Sequence, residues 1–302
     1  MGKASRRQRA EGAATKRPKP APFVARPFAG LPGETDLVAL REIVPAATAA
    51  WTLREPIGDV SKVTVATILP LAWPGLHRAD GEVLVGLQSG NASGDASRDL
   101  AQVLLAAAAQ EPGQPVPVLP MAIVDTPRLQ DLLDESAPFE VTMEDGFDFW
   151  VGDSELDAEG RASLDQANES VMPTVKLSGV ESCYWCEMGG RAYVRWVLPH
   201  DEDEATNALA RLWAAHTAGL GPVAGEGDSS SDQVGKLLGA FRASGLLVPV
   251  WEVDPEAEPE SFESAVAEWL ERFEAAVAST EQLTADERRA KSGVLSRQIT
   301  LR

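Results

Sequence analysis

Cys183 and Cys186 are the two cysteines of the chain, and their C-x-x-C spacing serves two chemistries, dithiol exchange and zinc binding. Both need more than spacing. A redox pair sits at a helix N-terminus, where the dipole lowers the thiol pKa. Here E181-S-C-Y-W-C-E-M-G-G runs straight into R191-A-Y-V-R-W-V-L198, which reads as a β-hairpin turning at Gly189-Gly190. With Met188 opposite Arg191, Trp185 meets Val194 and Cys183 meets Trp196. Side chains alternate along a strand, so Cys183 shares a face with Trp185, Val194 and Trp196. Cys186 points the other way, beside Tyr184 and Tyr193. Thiols on opposite faces cannot form a bridge. Zinc asks for four ligands, and the only histidines, His77, His200 and His216, are far apart in sequence. The pair therefore reads as structural thiols, with no metal and no cofactor expected.

The loop G86-L-Q-S-G-N-A-S-G-D-A-S97 lies between a strand and a helix, the position of a phosphate cradle. Ser89, Gly90, Asn91, Ser93 and Gly94 are the candidate ligand contacts. The loop lacks the lysine of a P-loop, and Asp95 and Asp99 oppose an anion; Asp95 or Ser97 also suits the N-cap of the following helix. His77 falls near a turn, His200 precedes D201-E-D-E204, and His216 sits at the margin of a helix. No G-x-S-x-G or H-E-x-x-H is present, so no catalytic residue is assigned. The acidic runs D201-E-D-E204 and D254-P-E-A-E-P-E260 lack calcium-loop spacing and read as solvated surface.

The strongest signal is charge. The chain of 302 residues carries a net charge of −19. Residues 1–26 hold eight basic side chains against the single acid Glu11, a net +7, which leaves −26 on the remainder. A flexible cationic arm on an anionic body attracts RNA or an acidic partner through the arm alone. Lys3, Arg6, Arg7, Arg9, Lys16, Arg17 and Lys19 are its candidate contacts. Phe23 is the first aromatic residue, so no ring interleaves the basic ones to stack on bases.

The elements that must position these residues follow from periodicity and turn chemistry. Residues 1–33, rich in Lys, Arg, Pro, Ala and Gly, predict a disordered basic leader, with order starting near Asp36. A first α+β half spans 34–138. It has a helix through Leu37, Leu40 and Val44, a hairpin of V63–W73 with E82–Q88 about Asp80-Gly81, a helix over 97–109, a strand over 116–125 and a short helix after Pro127. A linking hairpin covers 139–153. A second half, 154–280, has a polar helix over 154–170, the Gly189-Gly190 hairpin, a helix over 203–217 capped by Gly219, a loop over 221–232, a helix over 233–243, a strand over 246–254 and an amphipathic helix through Trp269 and Phe273. A charged C-terminal helix over 281–302 opens at the capping box T284-A-D-E287. L119-P-M-A-I-V-D125 overlays V248-P-V-W-E-V-D254, so the fold class expected is α+β, a tandem duplication of a hairpin–helix–strand–helix unit.

The basic start M1-G-K-A-S-R-R-Q-R9, the segment A39-L-R-E-I-V-P-A-A-T-A49 and the stretch around L247-V-P-V-W-E-V-D254 together resemble an actinobacterial family of unknown function, over nearly the whole chain. The resemblance implies a cytosolic protein and supplies no catalytic residue. No apolar run is long enough to span a membrane, and two cysteines give no disulfide framework, so a cytoplasmic location is expected. The favoured function class is a non-enzymatic binding or adaptor protein, tethered to a protein partner through its leader and making no membrane contact. Two alternatives stay open: a nucleotide- or phosphometabolite-binding enzyme or sensor at the 86–97 loop, and an RNA- or ribosome-associated factor.

Overall fold

The computed structural model describes residues 19–88, 93–152, 155–221 and 234–296. Helix α1 (Glu34–Glu42) leads into strand β1 (Ala47–Ile57), which turns at Gly58-Asp59 into β2 (Val60–Ala66). Burial alternates along the first part of β1, with Ala47, Ala49, Trp51 and Leu53 inward. Strand β3 (Gly75–His77) forms the hairpin about Asp80-Gly81 with β4 (Val83–Gly86), while β2 runs parallel to β4. The expected hairpin partner of β4 is thus corrected from the V63–W73 segment to β3. Helix α2 (Ala96–Ala108) packs on β3 and β4. Strand β5 (Gln114–Pro115) and β6 (Val141–Met143) complete a six-stranded sheet in the order β5-β3-β4-β2-β1-β6, with the short helix α3 (Leu129–Leu132) against β1.

Helix α4 (Ala158–Asn168) connects to a second, five-stranded antiparallel sheet. It contains β7 (Thr174–Lys176), β8 (Cys183–Met188), β9 (Arg191–Trp196), β10 (Gly235–Ala243) and β11 (Leu246–Val253), in the order β10-β11-β9-β8-β7. Helices α5 (Glu202–Ala214), α6 (Glu263–Val277) and α7 (Ala285–Ser296) pack together beside it. Strands β8 and β9 pair in the expected register, Cys183 opposite Trp196 and Met188 opposite Arg191. Gly189 and Gly190 both take positive φ, 62° and 73°, as a two-residue hairpin turn requires.

Several expectations change. Residues 235–243 form a strand rather than a helix, because they turn at Ser244-Gly245 and pair along their length with β11 around a bulge at Leu237/Gly239. Residues 116–123 do not join a ladder beyond one bridge at Ile123, since Pro117 and Pro120 supply no N–H, and Val124 and Asp125 form a turn. Residues 139–150 give one strand and a 3-10 turn at Asp148–Trp150 in place of a hairpin. Helix α5 ends at Ala214 with Ala215 as its C-cap, and the left-handed residue is His216 (φ 58°) and not Gly219. The mixed α+β class holds, but one sheet contains a parallel pair and the other none, so the topologies do not display a tandem duplication. The 221–232 loop lies outside the described residues apart from Gly221.

The largest apolar cluster joins α1 (Leu37, Val38, Leu40) and β1 to Tyr184, Val197, Leu246 and Val248 of the second sheet. A second cluster holds Cys183, Trp185, Val194, Trp196 and Trp251 against α5 and α6. Each such side chain removed from water contributes about 1.5–3 kcal/mol.

Candidate docking site

Described residues ahead of Asp36 that were assigned to the leader are packed on the body. Residues 19–31 lie along the body. Pro20 bridges Ile123 in antiparallel sense, Ala21 N–H donates to Ala122 O (3.4 Å) and Val124 N–H to Lys19 O (3.1 Å). Phe28 is fully buried and Leu31 nearly so. Arg26 donates to Glu34 (2.6 and 2.8 Å) and to Pro199 O (3.1 Å), and the Glu34 hydrogen bond raises its pKa. Pro27 O accepts from Arg128 (2.8 Å) and Gln130 (2.9 Å).

The inner wall of this ribbon is the loop predicted as a phosphate cradle. Val24 N–H donates to Gly94 O (2.8 Å). A side chain on Gly94 would meet the backbone of Phe23 and Pro22 at 2.9 Å and Ala21 O at 3.0 Å, so the absence of a Cβ is what lets the ribbon approach. Asp95 is the N-cap of α2, accepting from Ser97 N–H at 3.1 Å. It is almost completely buried, and a buried carboxylate needs cations. Arg128 (2.9 Å) and Arg98 (3.3 Å) supply them. Ser93 N–H donates to Asp99 (2.9 Å). The amides of Ser93 and Ser97 are thus spent on carboxylates, and an entering phosphate would meet Asp95 and Asp99.

Of the candidate contacts, Gly94 lies against residues 21–24 of the ribbon with Ser93 beside it, and Lys19 stands apart, paired with Val124 at the start of the ribbon. Lys3, Arg6, Arg7, Arg9, Lys16, Arg17, Ser89, Gly90 and Asn91 lie outside the described residues. Sequence reasoning missed the apolar side chains exposed along the ribbon and the segment it pairs with. Phe23 (82% exposed), Val118 (86%), Met121 (65%) and Val124 (39%) are four of the large apolar side chains left facing solvent, and all stand on the two segments 19–24 and 116–124. The only sequence trace was two proline-punctuated stretches with apolar residues between the prolines.

The other candidates lie apart. Cys183 and Cys186 are free, buried and on opposite faces of β8, and burial raises both thiol pKa values. Arg195, beside Cys186, partly offsets the rise there, and burial lowers its own pKa. His77 Nδ1 contacts Gln110 O (2.6 Å), and His200 lies 3.3 Å from Glu274. Among the described residues no group of three His, Cys, Asp or Glu is placed to hold a metal. In the acidic runs, Asp201 caps α5, Glu202 pairs with Arg242, and Asp203 lies 3.4 Å from Lys291.

Sequence reasoning also missed a polar cluster between α1 and the second sheet. Asp36 Oδ1 accepts from Ser182 Oγ and Tyr184 OH, both at 2.7 Å, and Oδ2 from Lys176 Nζ at 2.7 Å. Ser182 also contacts Thr35 Oγ1 (2.7 Å). These partners are some 140 residues apart and carry no motif. Ser182 and Tyr184 are fully buried, so the cluster fastens the first half to the second and offers no entry to a substrate.

A family model described as a family of unknown function (DUF5926) matches residues 27–302. No curated protein and no solved structure matches. No helix among the described residues is long and apolar enough to cross a membrane.

Proposed function

The chain belongs to this family of unknown function, and from that premise we propose a non-enzymatic adaptor that docks an acidic protein. The single observation that carries the reading is the coincidence of two surfaces. The ribbon exposing Phe23, Val118, Met121 and Val124 starts at Lys19, where the strongly basic stretch 1–19 ends. Apolar side chains contribute to binding when a partner covers them; lysines and arginines bring an acidic partner in and set the salt dependence. The prolines suit the task. They hold the ribbon extended and withhold N–H groups, so it presents side chains without inviting another strand. The apolar surface favours a protein over RNA, because only one of the four exposed side chains is aromatic.

Co-purification from the native cell tests this, using wild type, a F23S/V118S/M121S variant and a variant with the basic residues of 1–19 changed to Gln. The expected result is one acidic protein that rebinds when purified, is lost by both variants and binds more weakly as salt rises. Recovery of nuclease-sensitive material, or equal recovery with all three proteins, would overturn the reading.

A further inference from the structure

A cavity of about 440 Å³ opens on the far side of the first sheet from α1, against α4. Trp73, Leu76, Trp150, Leu156 and Leu164 form its walls and Arg78 its rim. That volume falls in the range of small-molecule sites, which are mostly apolar with few polar groups. The walls are fixed from behind. Trp150 donates its indole N–H to Ile68 O (2.9 Å), and its ring stacks on Phe147 with centroids 4.6 Å apart. Arg78 donates to Phe149 O (2.9 Å) and to Asp80 (2.8 Å), and pairs with Glu82. Its guanidinium lies on the backbone of Gly152, where a Cβ would meet Cζ at 2.5 Å. The rim is shaped by a costly turn. Leu71 and Ala72 are consecutive residues at φ 52° and 53°, each costing on the order of 1–3 kcal/mol.

We propose that this cavity binds a small flat aromatic molecule that carries no negative charge. The two indoles supply faces for stacking, and stacked or edge-on aromatic pairs gain beyond the area they bury. The charge at the rim decides the class. Arg78 already serves Asp80, Glu82 and the Phe149 carbonyl, and its hydrogen bond holds Asp80 below the usual carboxylate range, so Asp80 stays ionised. Two carboxylates stand against one guanidinium there. A nucleotide, a sugar phosphate or an aromatic acid would meet net negative charge and no uncommitted donor from Arg78. This site is separate from the docking ribbon and its test is independent of that reading.

The experiment is a titration of the full chain with indole, followed by NMR of the tryptophan side-chain N–H signals and by calorimetry. Indole-3-carboxylate is the charged comparator. Ala79→Trp and Ser163→Trp place a bulky ring in the cavity from two exposed positions on different elements, so one decides if the other fails to fold. Expected are saturable one-to-one binding that shifts the signals of Trp73 and Trp150, at least tenfold weaker binding in either filled variant, and at least tenfold weaker binding of indole-3-carboxylate. Three results would each overturn the proposal: indole binding that does not saturate or is equal in the filled variants; equal binding of the carboxylate; and a dimer in solution that Ala79→Trp dissociates, which would make a second copy the occupant.

Discussion

Asp36 gathers more hydrogen bonds on its carboxylate than its position in a short helix would suggest. Ser182 and Tyr184 are buried hydroxyls with this one carboxylate in common, and burial with the adjacent charge raises the Tyr184 pKa, keeping it a neutral donor. Removing the acceptor leaves the buried Tyr184 hydroxyl unsatisfied, at about 1–3 kcal/mol, and takes one of two partners from Ser182, which keeps Thr35. Asp36→Ala is expected to cost about 3 kcal/mol in urea unfolding. Lys176 is partly exposed and can turn to water, so Lys176→Ala should cost no more than about 1 kcal/mol. Equal losses would show that the ion pair, and not the hydroxyls, holds the halves together. The thiols make a second case. Burial raises both pKa values, so the reactive thiolate is scarce and shielded. In the native protein at pH 8 a thiol reagent should label neither cysteine, and both should react after unfolding in guanidinium. Rapid native labelling of Cys186 would mean that Arg195 holds it as a thiolate.

At the scale of elements, what was legible in the sequence is what local chemistry decides. The β8–β9 register followed from two glycines and alternation, because a two-residue turn fixes pairing without distant partners. Helices α2, α5 and α6 followed from their apolar faces. Strand β10 did not: G235-K-L-L-G-A-F-R-A carries leucine and alanine, good helix formers, and only pairing with β11 overrides them. The strand β1 was hidden for a related reason, its first two inward positions being the alanines Ala47 and Ala49. The Gly94 contact was illegible because the ribbon it admits is some 70 residues away. It yields a prediction. Gly94 does not sit at positive φ, so Gly94→Ala strains no backbone of its own, and its nearest collisions are with residues 21–23. The variant should keep its melting temperature within about 3 °C, while protease cleavage between Lys19 and Arg26 speeds up severalfold. Unchanged cleavage would mean that the ribbon is held elsewhere, at Phe28 and Pro27.

For the whole molecule, the leader was drawn in the sequence over residues 1–33 by its basic, proline-rich composition, and packing places its later part in the body. The net +7 runs to residue 26, yet the described residues from Lys19 are already packed on the body. A leader deletion made at Gly33 would remove Phe28 and Leu31 from the core, the Arg26–Glu34 pair and the Pro27 carbonyl that Arg128 and Gln130 use. Two buried side chains at about 1.5–3 kcal/mol each, with the lost polar partners, approach roughly 5 kcal/mol. That is the lower end of the stability of a whole protein. Deleting 1–32 is therefore expected to lower the melting temperature by 10 °C or more, on the order of 2–4 °C per kcal/mol. Deleting 1–18 should shift it by no more than about 2 °C. If docking depends on the arm's charge and the ribbon's apolar side chains together, the shorter deletion should weaken binding at low salt and leave a residual affinity that salt barely changes, because only the apolar part remains. A loss of binding seen with the longer deletion alone would report unfolding of the core and say nothing about the arm. Equal stability of the two truncated chains would mean that residues 19–32 do not belong to the folded body, and the ribbon could not then be a fixed docking surface.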